Sequence, residues 1–433
     1  MNLIAKRIRG MQDLLPEDSY EWETVERVMK EEAEVYGFKL IRTPVLESTE
    51  LFERSAGETS DVVDKEMYTF LDKGGRSLSL RPEGTAGVVR AFLENGLHNG
   101  VLPLKVMYMA SCYRYEKPQN GRYREFHQFG LEVFGGNSAL ADAELICLAE
   151  SILERLGIKD VSLEINVIGC PACRERYNEE VRSYFESHKS ELCNTCKERL
   201  ERNPLRIFDC KNSKCIKLCK DAPVSIGYIC RDCAEHFEKL KYYLHAANIK
   251  YSVNPHIVRG LDYYTKTVFE FVSNVDGQPI TICGGGRYDE LTKQVGGPKM
   301  SAIGLGFGVE RLITIMKKQG IEFNKRKRCE VYIAPMGDSA KIEAVKIIEN
   351  LRKSSILAEM DIVGRNIKAQ MKYADKIGAK YCIIIGSHEM QEKKAKLKNM
   401  ETGVEVEIKL GDDFLDDFMK FYLHAESKKG LFI

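Results

Sequence analysis

The sequence predicts an α+β chain of several parts: an antiparallel sheet flanked by helices, a cysteine-rich insertion within it, and a C-terminal α/β domain. Three observations predict it. The strand-like runs "LKVMYMASCYRYE" and "REFHQFGLEVFG" flank a polar loop with Pro118 and Gly121, the pattern of an antiparallel hairpin. Nine of the fourteen cysteines fall between Cys170 and Cys233, among short helical segments and charges. After the polar, basic stretch "IEFNKRKRCE", strands and helices alternate, as in a small, largely parallel sheet.

Residues 16–36 carry Val25, Val28 and Val35 among charges and stop at Gly37, which makes an amphipathic helix. "FKLIRTPVLE" follows as one strand, with Pro44 near its far end, where proline is tolerated. "RSLSL" leads into the turn "RPEGTAG", in which Thr85 is placed to cap the helix containing Val88 and Val89. Beyond the hairpin and the insertion, strands resume at "YSVNPHIVRGLDYYTKTVFEF", "ITICGGGRYDEL" and "SAIGLGFGVERLITIMKK". The C-terminal part reads strand "VYIAPM", a helix over 339–352, a short strand near "AEMDIV", helix "NIKAQMKYADKIG" and strand "AKYCIIIG". These textures put the sheet domain in 1–168 and 249–322, the insertion in 169–248 and the last domain in 329–433.

Composition bounds the function. At 433 residues the chain exceeds one ordinary core, and 44% hydrophobic with 30% charged residues is a globular balance. A net charge of +1 means that any nucleic acid must be met by local patches. No run approaches the ~20 apolar residues of a membrane helix, and the first residues lack a secretory stretch. A cytoplasmic location with reduced thiols is expected, so clustered cysteines suggest metal before disulfides.

Alternation along a strand puts Arg114 and Glu116 on one face of the hairpin, and Phe126, Gln128 and Glu132 together on its partner. A core sheet would place aliphatics there. A solvated outer face is the plain alternative. Flanking aromatics, with Arg122 and Arg124 in the loop, favour a nucleotide laid across the sheet. In "RPEGTAG", Glu83 and Thr85 flank Gly84, where the backbone can approach a ligand. In "GLGFGVERL", Arg311 opens a helix behind alternating glycines, which suits a polyphosphate or an adenine, or else a helix-surface salt bridge. "RGLDYY" sets Arg259, an acid and two tyrosines at the mouth of a strand.

Together these pieces are specific. Arg114 in a hairpin and Arg311 after a glycine strand resemble the signature arginines of class II aminoacyl-tRNA synthetases. "RGLDYY", "CGGGRYD", "RPEGT" and "GRYREFHQFGLEVFG" resemble the motifs of bacterial-type histidyl-tRNA synthetases, from "RGMQDLLPED" to "QMKYADKIGAKYCIIIG". The resemblance implies the class II sheet, a C-terminal anticodon-binding domain, and ligation of L-histidine to tRNA(His) through a histidyl-adenylate. ATP with Mg2+ is implied, as is a homodimer whose interface involves the Pro44 strand and the helix before it. By the same resemblance Arg114 holds the α-phosphate, and Arg259 reaches both that phosphate and the histidine carboxylate. Glu132 and Tyr264 meet the imidazole, Glu83, Gly84, Thr85 and Gln128 take the α-amino end, and Tyr263 and Tyr288 close the site. Phe126 stacks on adenine, Glu116 contacts the base, Arg122 lies in the phosphate-binding hairpin loop, and Arg311 lies along the triphosphate. Lys117 and Glu125 depart from the commoner arginine and glutamine near the loop that is to approach the tRNA acceptor end.

The insertion contains Cys170-x-x-Cys173, Cys193-x-x-Cys196 and Cys230-x-x-Cys233, with Cys210, Cys215 and Cys219 between. Two such units about twenty residues apart predict a structural zinc on Cys170, Cys173, Cys193 and Cys196. A second site is expected from Cys230 and Cys233 with two of the intervening three. Two other functions compete. One is the synthetase-like regulatory subunit of ATP phosphoribosyltransferase, which lacks an anticodon domain. The other is a zinc-dependent nucleic-acid-binding protein, which leaves the arginine hairpin idle.

Overall fold

Strand β1, Leu104–Tyr113, pairs antiparallel with β2, Glu125–Phe134, from Leu104 opposite Phe134 to Tyr113 opposite Glu125. The hairpin forms one end of the main antiparallel sheet in a computed structural model that describes residues 5–57, 60–119, 121–257, 261–275, 277–323 and 329–427. Four more strands complete it: β3 Val161–Val167, β4 Thr265–Val275, β5 Gln278–Arg287 and β6 Ala302–Gly308. Their order is β1-β2-β6-β5-β4-β3, every neighbour antiparallel. Two-residue strands, Lys39–Leu40 beside β1 and Ser252–Val253 beside β3, add parallel edges and make eight.

The expected strand "FKLIRTPVLE" is instead two, Lys39–Leu40 and Leu46–Ser48, in different sheets. Pro44 has no N–H to give a ladder. The chain between the two is held by Arg81, whose Nη1 donates to the carbonyls of Thr43 (3.0 Å) and Pro44 (3.3 Å).

One core gathers the aliphatic face of the sheet and helices Ser19–Val35, Ala139–Arg155, Arg231–Ala246 and Val309–Lys318. Their buried residues recur at helical spacing, as Val25, Val28 and Met29 do in the first of them. The other face carries a second core, around Val88, Phe92, Val106, Tyr108 and Phe134, with polar side chains set beside it. The insertion shares this core through Cys173, Cys233, Phe237, Leu240 and Leu244, and adds a small core of its own around Val181, Phe185 and Leu200.

The chain divides into two compact units, residues 1–324 and 325–433. In the second, Ala358–Met360, Cys329–Pro335 and Ala379–Ile385 are parallel, with helices Asp338–Lys353 and Ile367–Lys376 between them. The sheet continues into two antiparallel strands that the sequence pattern does not announce, Lys394–Asn399 and Glu405–Lys409. Their exposed faces carry lysines and glutamates, so only Ala395, Leu397 and Ile408 mark them as strands.

Candidate active site

The turn "RPEGTAG" opens helix Thr85–Glu94, and Glu83 caps it, not Thr85 as expected. The Glu83 carboxylate accepts from the backbone N–H groups of Thr85 (2.6 Å) and Ala86 (2.7 Å). Burial pushes the acidity of Glu83 toward the protonated form, and these two donors oppose it. Thr85 is thereby left free to turn inward, and its Oγ1 donates to Glu132 Oε1 at 2.7 Å.

Glu132 is fully buried on β2. Tyr108 OH donates to Oε1 at 3.3 Å, and Tyr288 OH donates closely to Oε2. Burial outweighs these hydroxyls and raises the carboxyl pKa to about 8. Tyr263 and Tyr264 are buried in the same cluster, with Tyr263 4.6 Å from the Tyr264 ring and 5.7 Å from that of Tyr288. Gln128 joins this pocket to the neighbouring cleft, accepting the Gly84 N–H at 3.1 Å.

The glycines of β6 make this possible. A Cβ on Gly304 would lie 1.6 Å from Glu132 Oε2, and one on Gly306 would lie 2.1 Å from Gln128 Nε2. Both polar side chains therefore lie across a strand with nothing standing on it. Tyr108 is gripped likewise: Cβ atoms on Gly84 and Gly130 would fall 2.2 and 2.0 Å from its ring.

Beside the buried pocket opens a cleft of about 310 Å³, walled by Arg114, Arg122, Phe126, Gln128, Glu116 and Arg311. Arg114 lies just past the end of β1, where Nε donates to Pro82 O at 2.9 Å and the guanidinium sits 5.3 Å from the Phe126 ring centre. Glu116 lies 3.4 Å from Arg122 and 4.0 Å from Arg114. Arg311 donates to Thr281 O (2.6 Å) and Gly121 O (3.3 Å), and no carboxylate ion-pairs with it among the described residues. Burial, and then repulsion from Arg122, lower its pKa. A guanidinium stays charged regardless, so the cleft offers an anion three permanent cations, set among the carboxylates of Glu116, Glu270 and Glu310. Arg259 lies outside the described residues.

Sequence reasoning missed Tyr108, which sits in an apolar strand run and reads as core. It also missed Glu270, on the cleft wall with Thr281 Oγ1 donating to it at 3.0 Å. Glu310, beside Arg311, accepts from the backbone N–H of His127 and touches its ring, tying helix Val309–Lys318 to β2.

The family model described as Histidyl-tRNA synthetase matches residues 10–172 and 225–312, more than half of the chain. The chain belongs to the histidyl-tRNA synthetase family. A model described as an anticodon binding domain matches 330–415. Among curated relatives, the histidine–tRNA ligase of Clostridium novyi is 54% identical over 96% of this chain and 98% of its own. That of Acetivibrio thermocellus is 50% identical over 94% and 98%. The apo histidyl-tRNA synthetase of S. aureus superposes with a TM-score of 0.81 at 38% identity, covering 96% of this chain and 99% of its own. A Bacillus halodurans structure titled as an ATP phosphoribosyltransferase regulatory subunit/histidyl-tRNA synthetase shares the fold, with a TM-score of 0.61 at 23% identity over 89% of this chain. The synthetase names of the near-full-length relatives and the anticodon-binding match disfavour the regulatory-subunit reading.

The synthetase family match skips residues 173–224, most of the cysteine-rich stretch. There the structure corrects the expected zinc ligands. Cys170 and Cys173 do not meet Cys193 and Cys196. They meet Cys230 and Cys233, while Cys193 and Cys196 meet Cys210 and Cys215; within each group the sulfurs lie within 4.8 Å of one another. Nearness in sequence misled, because helix Pro171–Ser187 carries the chain away before the second pair and helix Arg231–Ala246 begins beside the first.

Proposed function

We propose that the chain activates L-histidine with ATP and transfers it to tRNA(His). The observation that carries this reading is a buried carboxyl, Glu132, held by three hydroxyls in a pocket that Gln128 joins to an arginine-walled cleft. Histidine presents two ring nitrogens that a hydrogen-bonding site must satisfy. A site built of such groups rejects isosteres far better than an apolar one. Glu132 and Tyr264 take the ring, Glu83, Gly84, Thr85 and Gln128 the ammonium end, and Tyr263 and Tyr288 wall the pocket.

In the first step a histidine carboxylate oxygen attacks the α-phosphorus and pyrophosphate leaves. Positioning and charge neutralisation carry such an in-line displacement. Arg114 and Arg259 serve the α-phosphate, Arg122 and Arg311 the outer phosphates, and Phe126 and Glu116 the adenine. The magnesium that accompanies ATP would supply charge neutralisation at the phosphates. Glu270 on the cleft wall is the oxygen donor that would hold it, since Glu116 serves the adenine and Glu310 is taken by His127. In the second step a hydroxyl of the terminal tRNA adenosine attacks the adenylate carbonyl and AMP leaves. The residues at 329–433 would bind the anticodon, and the insertion, taken as 169–248 between sheet segments 1–168 and 249–322, would bind zinc and face the acceptor arm. The active species would be a cytoplasmic homodimer.

The test is ATP–pyrophosphate exchange with each of the twenty amino acids, followed by tRNA(His) charging. Exchange with histidine alone, lost in Arg259→Ala, is the expected result. A folded chain that exchanges with no amino acid would overturn the reading.

A further inference from the structure

Each Cys-x-x-Cys unit of the insertion is built the same way. Its first cysteine is the N-cap of a helix and its second stands three residues on, in the first turn: Cys170 and Cys173, Cys193 and Cys196, Cys230 and Cys233. Cys215 sits likewise three residues after the N-cap Asn212 of helix Ser213–Lys220, with Cys210 just before it. The first turn of a helix favours negative charge, which suits a thiolate ligand placed there. Gly169 permits the tight entry: its φ is +79°, and a Cβ there would lie 2.4 Å from that of Cys173.

The two groups have the dimensions of metal tetrahedra. Four sulfurs about 2.3 Å from a common ion are about 3.8 Å from one another. Cys170 and Cys173 sulfurs are 3.5 Å apart, and those of Cys193 and Cys210 are 3.8 Å apart. Both separations are far beyond a bond between sulfurs. Backbone N–H groups point at the sulfurs as well: Cys230 N–H to Cys173 Sγ at 3.0 Å, Cys193 N–H to Cys215 Sγ at 3.4 Å, and Asn212 N–H to Cys210 Sγ at 3.4 Å. Outer-shell donors of this kind orient and stabilise thiolate ligands.

The first group is wired to the substrate segment. Arg174, next to Cys173, donates through Nη1 to the carbonyls of Asp262 (2.8 Å) and Tyr264 (3.0 Å). Gly169 O accepts the Lys266 N–H, and Lys266 O accepts the Ile168 N–H, both at 2.8 Å. Around the second group, Arg206 pairs with Asp262 Oδ1 at 2.8 Å and Arg199 with Asp61 Oδ2 at 2.9 Å.

We infer that the insertion holds two zinc ions, one on Cys170, Cys173, Cys230 and Cys233 and one on Cys193, Cys196, Cys210 and Cys215, and that the first, through Arg174, positions residues 262–264 for histidine. Binding displaces the thiol protons to solvent and leaves four thiolates on each ion. Soft thiolates in a tetrahedron select zinc or iron over the hard cations. The positioning half rests on the proposed histidine activation; the metal half does not.

Metal analysis of the full-length protein should give two zinc per chain. Cys230→Ser/Cys233→Ser and Cys193→Ser/Cys196→Ser should each retain one. In the first of these the histidine KM should rise about tenfold while the ATP KM changes less than about twofold. Arg174→Ala should reproduce that split with both zinc ions still bound, which separates positioning from loss of the metal. If the cysteine variants do not fold, cobalt(II) titration of the zinc-stripped parent decides, by two equivalents with the absorption of tetrahedral thiolate sites. No metal and no such absorption, or iron in place of zinc, would overturn the sites. An unchanged histidine KM in Arg174→Ala would overturn the positioning role. A parent that binds two zinc ions but shows no histidine-dependent exchange would instead sink the proposed function and leave the sites standing.

Discussion

Glu132 is a carboxyl placed where ionisation is costly. Below about pH 4.5 it is protonated both folded and unfolded, so it costs nothing. Between there and about 8 the unfolded chain gives up the proton and the folded chain keeps it, so stability falls as pH rises. Above that window the cost is complete. Glu132→Gln should therefore unfold at a higher temperature than the parent at pH 8.5, with the gap closing toward pH 5. It should also lose most histidine-dependent exchange, because the amide cannot become the anion that accepts from all three surrounding hydroxyls. Thermal melts at the two pH values, paired with exchange assays, check both halves. Equal melting shifts at both pH values would refute the assignment of the cost to ionisation. The opposite environment surrounds Asp142. Burial alone would raise its pKa, but Arg287, itself fully buried, and His236 hold it net below the usual range. Removing one partner of a buried pair leaves the other charge stranded, so Asp142→Ala should cost about 3–5 kcal/mol, measured by chemical denaturation.

At the scale of elements, the glycine strand β6 matters most. Polar side chains from β2 cross it at Gly304 and Gly306, so a methyl group there meets an anchored carboxylate or amide. Gly304→Ala should raise the histidine KM at least tenfold, since three hydroxyls leave Glu132 nowhere to retreat. An exchange assay with histidine varied reads this directly. Much of this strand was legible beforehand. Period-two alternation revealed the hairpin, and Arg114, Phe126 and Gln128 do line one cleft. The function of the glycines was not legible, because a missing side chain signals room without naming its occupant. Tyr108 was invisible for the converse reason, its ring being apolar enough to pass for core. The cysteine pairs were recognisable as metal-type by spacing, yet which pair meets which depends on where a helix carries the chain.

At the scale of the whole molecule, two units with separate cores divide the work. The second is complete in itself, built on Val331, Ile333, Ile347, Ile383 and Phe418. A chain ending near residue 324 should keep histidine-dependent exchange and lose efficient charging of tRNA(His), since the groups proposed for activation all lie in the first unit. Loss of both activities from a folded truncation would contradict this division. The insertion, by contrast, is not separable. It shares a core with the sheet, and His236 on its last helix reaches Asp142 at 2.8 Å. The net charge of +1 hides this organisation, because the three arginines of the cleft are matched by glutamates on the same wall.

Tyr108 sits where side chains on Gly84 or Gly130 would have to be. Neither glycine can gain even a methyl group while the tyrosine stays. The tyrosine cannot shrink without leaving a hollow beneath Glu132 and taking away one of its donors. Three positions on three separate segments are thus locked into joint inheritance. Drift that samples one change at a time meets a barrier from every side, so a lineage carrying this pocket keeps all three residues or abandons them together.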